Sequence, residues 1–168
     1  MDMKTKATPQ SPLAALADPS LLKTDGLING AWVAGDGRFE VHDPSTGEVL
    51  AQVANLQASH AEQAIVAANQ AWPAWRQLTA KARSQLLRKW FDLLMAHVDD
   101  LARILTAEQG KPYPEAKGEI AYGASFVEWY AEEAKRVNGE TLPPFDNNRR
   151  LMVIQQPIGV RSEEHTSE

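Results

Sequence analysis

The sequence predicts a chain of mixed helix and strand, α/β or α+β in pieces, on three observations. An Asn29-Gly30 dipeptide sits between two short apolar runs near the start. Long apolar stripes at helical spacing fill the middle. Extended apolar runs return after Gly139. That order, strands then helices then strands, excludes a helical bundle.

Each element follows in turn. Leu27-Ile28 and Ala31-Trp32-Val33 flank Asn29-Gly30, which supplies the two positive-φ residues of a tight hairpin. Phe39 and Val41 come next at strand spacing. Asp43-Pro-Ser-Thr-Gly47 reads as a turn, with Pro44 presetting φ and Gly47 closing it. Val49, Ala51 and Val53 alternate like a strand with one buried face. Ser59 and Glu62 have the spacing of a capping box that opens a helix. Ala61, Ala64, Ile65, Ala68, Ala71, Trp72 and Trp75 continue it, and Pro73 is expected to end or kink it. Thr79 suits the N-cap of the next helix. Leu86, Leu87, Trp90, Phe91, Leu94, Val98, Leu101 and Leu105 form an i, i+3, i+4, i+7 stripe. Asp99 or Asp100 is expected to cap a new helix at a bend. Gly110, with Pro112 beyond, marks the stop.

A last helix is expected from Pro114 to Asn138. Proline suits its first turn. Glu115 and Glu119 near its start, and Lys135 and Arg136 near its end, match the helix dipole. Thr141-Leu142 and residues 151–160 read as extended. Leu151-Met152-Val153-Ile154 is apolar on both faces and needs cover on both, or a partner chain.

Composition narrows the function. The chain has 168 residues, 43% hydrophobic and 23% charged, an ordinary balance for one globular domain. A net charge of -5 offers no basic face for nucleic acid. No apolar run approaches the ~18–20 residues of a membrane-spanning helix. Residues 1–24 read as a flexible leader rather than a secretory signal. There are no cysteines, which excludes disulfides, thiolate metal sites and a cysteine nucleophile within this chain. That usage fits a cytoplasmic protein.

Several patterns bear on chemistry. Gly118 and Gly123, followed by Ser125, have the glycine spacing of a phosphate-binding loop but lack its lysine and fall in a helix. His97 beside Asp99 and Asp100 is better read as a solvated helix end than as a metal site. His42, His60 and His165 form no recognisable set, and no metal site is expected. The last helix carries two stripes. Ile120, Ala124, Val127, Ala131 and Ala134 form one. Tyr122, Phe126 and Trp129 form the other, on the opposite side at ~3.6 residues per turn. Periodicity favours a helix buried all round, with an aromatic face lining a pocket as the alternative.

Glu108-Gln-Gly-Lys-Pro112, Glu115-Ala-Lys-Gly-Glu-Ile120, Phe126-Val-Glu-Trp-Tyr-Ala-Glu-Glu-Ala134 and Arg150-Leu-Met-Val-Ile-Gln-Gln-Pro-Ile-Gly-Val160 resemble the aldehyde dehydrogenase superfamily. Trp75-Arg76, Lys81-Ala-Arg83, Ile28-Asn-Gly-Ala-Trp32 and Asp43-Pro-Ser-Thr-Gly-Glu48 match as well. The resemblance runs in order from about Asp25 to Val160. Its wording is most similar to the bacterial, NADP-preferring succinate-semialdehyde branch.

The resemblance implies an enzyme that oxidises a small aldehyde to an acid with NADP or NAD. A cysteine attacks the carbonyl, hydride passes to the nicotinamide, and a glutamate activates water. An asparagine and a backbone N–H hold the oxyanion. The resemblance places that asparagine, the glutamate and the cysteine beyond Val160, together with the cofactor residues. It implies no catalytic or cofactor-binding residue in this chain, and none is expected to bind cofactor well. Residues 25–160 would be the N-terminal portion of the dehydrogenase domain. Within it, residues 59–137 would pack on the cofactor domain. Strands at about 141–160 would begin the oligomerisation sheet of a homo-oligomer, joined through the 150–160 strand. Tyr122 and Phe126 would face the substrate tunnel. Glu108 and Val41 occupy places that bind a monovalent cation in some relatives.

Arg161-Ser-Glu-Glu-His-Thr-Ser-Glu168 matches, residue for residue, the translation of a common short-read sequencing adapter. These residues are therefore set outside the fold, and the gene is expected to continue past Val160. Two alternatives stand beside the truncated enzyme. One is a natural short module docking onto a full-length dehydrogenase through Leu151–Ile154. The other is a pseudogene product.

Overall fold

The computed structural model describes residues 11–161, and its strands and helices come in the expected order. The adapter-like tail, apart from Arg161, lies outside the described residues. Strands β1 (Gly26–Ile28) and β2 (Ala31–Val33) pair antiparallel across Asn29-Gly30, with φ of 50° and 74° at the two turn residues. Positive φ at both positions is the primed turn that matches strand twist. Strands β3 (Arg38–His42) and β4 (Val49–Ala54) form a second antiparallel hairpin. Its turn is closed by the Asp43 carboxylate, which accepts N–H bonds from Ser45 (2.7 Å) and Thr46 (3.3 Å), and by Gly47 at φ 75°. Strands β5 (Glu140–Leu142) and β6 (Leu151–Val153) form a third. Every described strand pair is antiparallel.

Four helices lie between the second and third hairpins: α1 (Ala58–Gln77), α2 (Ala80–Ala96), α3 (Val98–Gln109) and α4 (Tyr113–Glu133). Thr79 caps α2, its Oγ1 accepting from the Ala82 N–H at 3.2 Å. Gly110 ends α3 in the left-handed region at φ 71°. A side chain there would be strained twice, since its Cβ would also stand 3.0 Å from the Pro44 ring.

The core is built from small residues. Among the described residues, Ala102 and Ala107 of α3 and Ala116, Ala124 and Ala131 of α4 are the buried apolar side chains. Spacings of eight and seven residues put the three α4 alanines on one face. Small side chains let α4 lie close against α2 and α3, the two helices it packs on. No large apolar side chain among the described residues is fully buried, which departs from the usual arrangement.

Several expectations are corrected. Helix α1 begins one residue before Ser59, and the Gln57 N–H donates to His60 Nδ1 at 3.0 Å, so Ser59 and Glu62 are not its capping box. Pro73 lies inside α1 without ending it. Pro73 and Asn69 are both exposed, so water can satisfy the carbonyl that loses its N–H partner. The break between α2 and α3 falls at His97, and Asp99 and Asp100 sit in the first turn of α3 instead of capping it. Helix α4 stops at Glu133, short of Asn138. Strand β6 covers only the first three residues of the run 151–160. Strand β4 has no single buried face, because Leu50, Ala51, Val53 and Ala54 are all half-covered while Val49 is half-exposed.

Two short turns precede the first strand. From Ser11 the chain makes 3-10 turns at Pro12–Ala15 and Pro19–Leu21, and the first packs on α3. Residues 1–10 lie outside the described residues.

Candidate functional site

Helix α4 carries the candidate site on the side away from its alanines. Tyr122 is 66% exposed and Phe126 48%. Their rings meet edge to face, centroids 4.9 Å apart at 81°, the arrangement that aromatic quadrupoles favour. Trp129 and Tyr130 extend the exposed face by another turn. The helix is thus two-sided, with alanines on the bundle and aromatics open, and it is not buried all round.

Phe126 and Trp129 form one wall of a groove of about 510 Å³, with Arg88 of α2 and Arg136 beyond α4 also lining it. Arg88 ties the two helices together. Its guanidinium bonds the Glu128 carboxylate at 2.9 Å and Asp92 at 3.3 Å, and lies over the Phe91 ring at 4.8 Å. Sequence reading missed this role. The Arg88–Asp92 spacing of four residues was legible as a helix pair. Glu128, forty positions away, was not.

A second charged group joins α3 to the start of α4. The Tyr113 hydroxyl donates to Asp99 at 2.6 Å, and the Lys117 ammonium bonds the same oxygen at 2.7 Å. The Lys117 bond and then the Tyr113 bond hold the Asp99 carboxyl below the usual carboxylate range. The bond to Asp99 raises both the Tyr113 phenol and the Lys117 ammonium. These contacts tie the first turn of α3 to the first turns of α4.

Other candidates resolve by position. Val41 and Glu108 come together in the wall of one cavity of about 260 Å³ between the second hairpin and α3. Asp99 and Asp100 are committed to other partners, so neither is left to form a metal set with His97. Among the described residues no group of three or more His, Cys, Asp or Glu is placed to hold a metal ion. Gly118 and Gly123 both lie inside α4. Helical backbone spends its N–H groups internally there, so these glycines cannot cradle a phosphate. The described residues thus offer no fit for a dinucleotide through that motif.

The sequence pattern of the aldehyde dehydrogenase family matches residues 32–163. The chain belongs to the aldehyde dehydrogenase family. It is 53% identical over 147 residues to the succinate-semialdehyde dehydrogenase [NADP(+)] of Escherichia coli, covering 86% of this chain and 30% of that protein. It is 51% identical over 147 residues to the glutarate-semialdehyde dehydrogenase of Pseudomonas aeruginosa, covering 86% and 30%. Among solved structures, succinate-semialdehyde dehydrogenase from Burkholderia pseudomallei superposes with a TM-score of 0.84 at 56% identity, over 86% of this chain and 30% of that one. The chain spans about three tenths of the length of the curated relatives it matches. Its mixed helix and strand architecture is the N-terminal part of the aldehyde dehydrogenase fold. No helix among the described residues is long and apolar enough to cross a membrane.

Proposed function

We propose that this chain is the N-terminal part of an NAD(P)-dependent aldehyde dehydrogenase that oxidises succinate semialdehyde to succinate, with NADP preferred, in the cytoplasm. One observation carries the reading: identity of about one half, sustained over 147 residues, to relatives named for semialdehyde oxidation. In this reading the chain contributes scaffold and tunnel wall, while the nucleophile, the general base, the oxyanion asparagine and the cofactor residues are supplied by the rest of the enzyme. Residues 25–160 belong to the dehydrogenase domain. The helices α1 to α4 pack on the cofactor domain, and β5 and β6 open the sheet through which subunits associate. The open edge and exposed Met152 and Ile154 support that last assignment.

Tyr122 and Phe126 line the aldehyde tunnel in this reading. Their support is the free aromatic face of α4, which the alanine packing leaves unused. The test is steady-state turnover of the whole enzyme with succinate and glutarate semialdehydes, NAD and NADP. Succinate semialdehyde with NADP is expected to give the highest kcat/KM. Tyr122→Ala is expected to raise the aldehyde KM about tenfold, equivalent to ~1.4 kcal/mol, and to leave the NADP KM within about twofold. An unchanged aldehyde KM would return Tyr122 to a packing role.

A further inference from the structure

Asp100 is an acidic residue in an enclosed place. It is 4% exposed, in the first turn of α3. Its two oxygens are taken by chain more than eighty positions earlier: the Ala17 N–H donates to Oδ1 at 3.0 Å and the Asp18 N–H to Oδ2 at 2.9 Å. Arg103 adds one bond to Oδ1 at 3.2 Å. An ionised carboxylate can accept from two adjacent backbone N–H groups at once, and a buried charge needs such partners. The segment it grips is shaped to be held. Ser11 Oγ accepts from the Leu13 N–H at 3.3 Å and Asp18 Oδ1 from the Ser20 N–H at 3.0 Å, so each 3-10 turn carries its own cap. Leu13, Leu21 and Leu22 line the 260 Å³ cavity together with Val41, Leu50 and Ile104.

We propose that residues 11–22 are a latched strap, held shut across the seam between α3 and the β3–β4 hairpin by the Asp100 carboxylate gripping two consecutive backbone N–H groups. The strap is a conformational device of the fold, independent of the aldehyde chemistry. Opening it uncovers the apolar seam and leaves Asp100 without its two backbone donors. The charged and titratable groups around the latch are Asp18 on the strap, Asp99 and Arg103 on α3, and His97 at the helix junction.

The pH dependence has a definite sign. The Ala17 and Asp18 N–H groups, then Arg103, hold the Asp100 carboxyl below the usual carboxylate range. The latch is therefore fully engaged above the unfolded carboxyl value of about 3.9 and is lost as pH falls through the lower folded value. It stays shut at neutral pH and opens in acid.

Amide hydrogen exchange in the whole enzyme tests the strap. Asp100→Ala is expected to speed exchange of the 13–22 peptide about tenfold or more. Asp100→Asn, which keeps one acceptor oxygen but turns an N–H₂ group toward a donor, is expected to speed it less. Exchange of the 113–133 peptide is expected to stay unchanged. Equal exchange of the 13–22 peptide in all three proteins overturns the proposal. Should Asp100→Ala fail to fold in the intact chain, a variant lacking residues 1–19 decides. With the strap's donors gone, Asp100→Ala is expected to cost no stability there. An equal loss, or failure to fold, in both backgrounds contradicts the latch.

Discussion

Purified as the 168-residue chain, the protein is expected to turn over no succinate semialdehyde with NADP or NAD. Oxidation of an aldehyde by this family's chemistry needs a thiolate to form the hydride-donating adduct, and the chain contains no cysteine. The glycine pair that superficially suggests a phosphate loop is locked in α4. The same preparation is expected to self-associate. Tyr122, Trp129, Tyr130, Met152 and Ile154 are each at least 60% exposed, and apolar surface of that extent seeks cover. Absorbance of reduced cofactor and sedimentation are the two measurements. Steady NADPH production by the chain alone would sink the assignment of the chemistry to residues outside it.

Ala131→Leu is expected to destabilise the helix layer by about 1–3 kcal/mol, the usual cost of forcing extra methylenes into a close-packed contact. Ala131 is 1% exposed and lies on the α4 face that meets α2 and α3. The fully buried apolar positions on α3 and α4 are alanines already and have only a methyl group to give up. Urea unfolding, in which the denaturant keeps the apolar faces dissolved, would show the loss as a lower midpoint at unchanged slope. The control is Ser125→Ala on the exposed side of the same helix. It removes only the hydroxyl that donates to the Tyr122 carbonyl, and its effect is expected to be about 0.5–1.5 kcal/mol at most.

Much of the fold was legible because it rests on local chemistry. Asn29-Gly30 dictated its own hairpin, Thr79 its cap and Gly110 its stop. The alanine stripe of α4 was legible as a stripe. Periodicity could not say that the opposite aromatic side stays open, because burial depends on what covers a helix. Two of the misplaced caps have one cause. Ser59, Asp99 and Asp100 have the side chains of N-caps, yet Asp99 and Asp100 serve partners far away or in another helix. Asp100 reaches Ala17 and Asp18, and no local pattern reports a bond spanning more than eighty residues. The Arg88–Glu128 tie was hidden for the same reason. The candidate site was legible as far as Tyr122 and Phe126 could be placed on one side of a helix, and no further.

Reading the genomic locus through codon 160 decides whether the chain is the front part of a longer dehydrogenase. The expected result is an open frame that continues past Val160, supplies the oxyanion asparagine and later reaches a cysteine, with Arg161–Glu168 absent from the genome. A genome that encodes Arg161–Glu168 followed by a stop codon would contradict it.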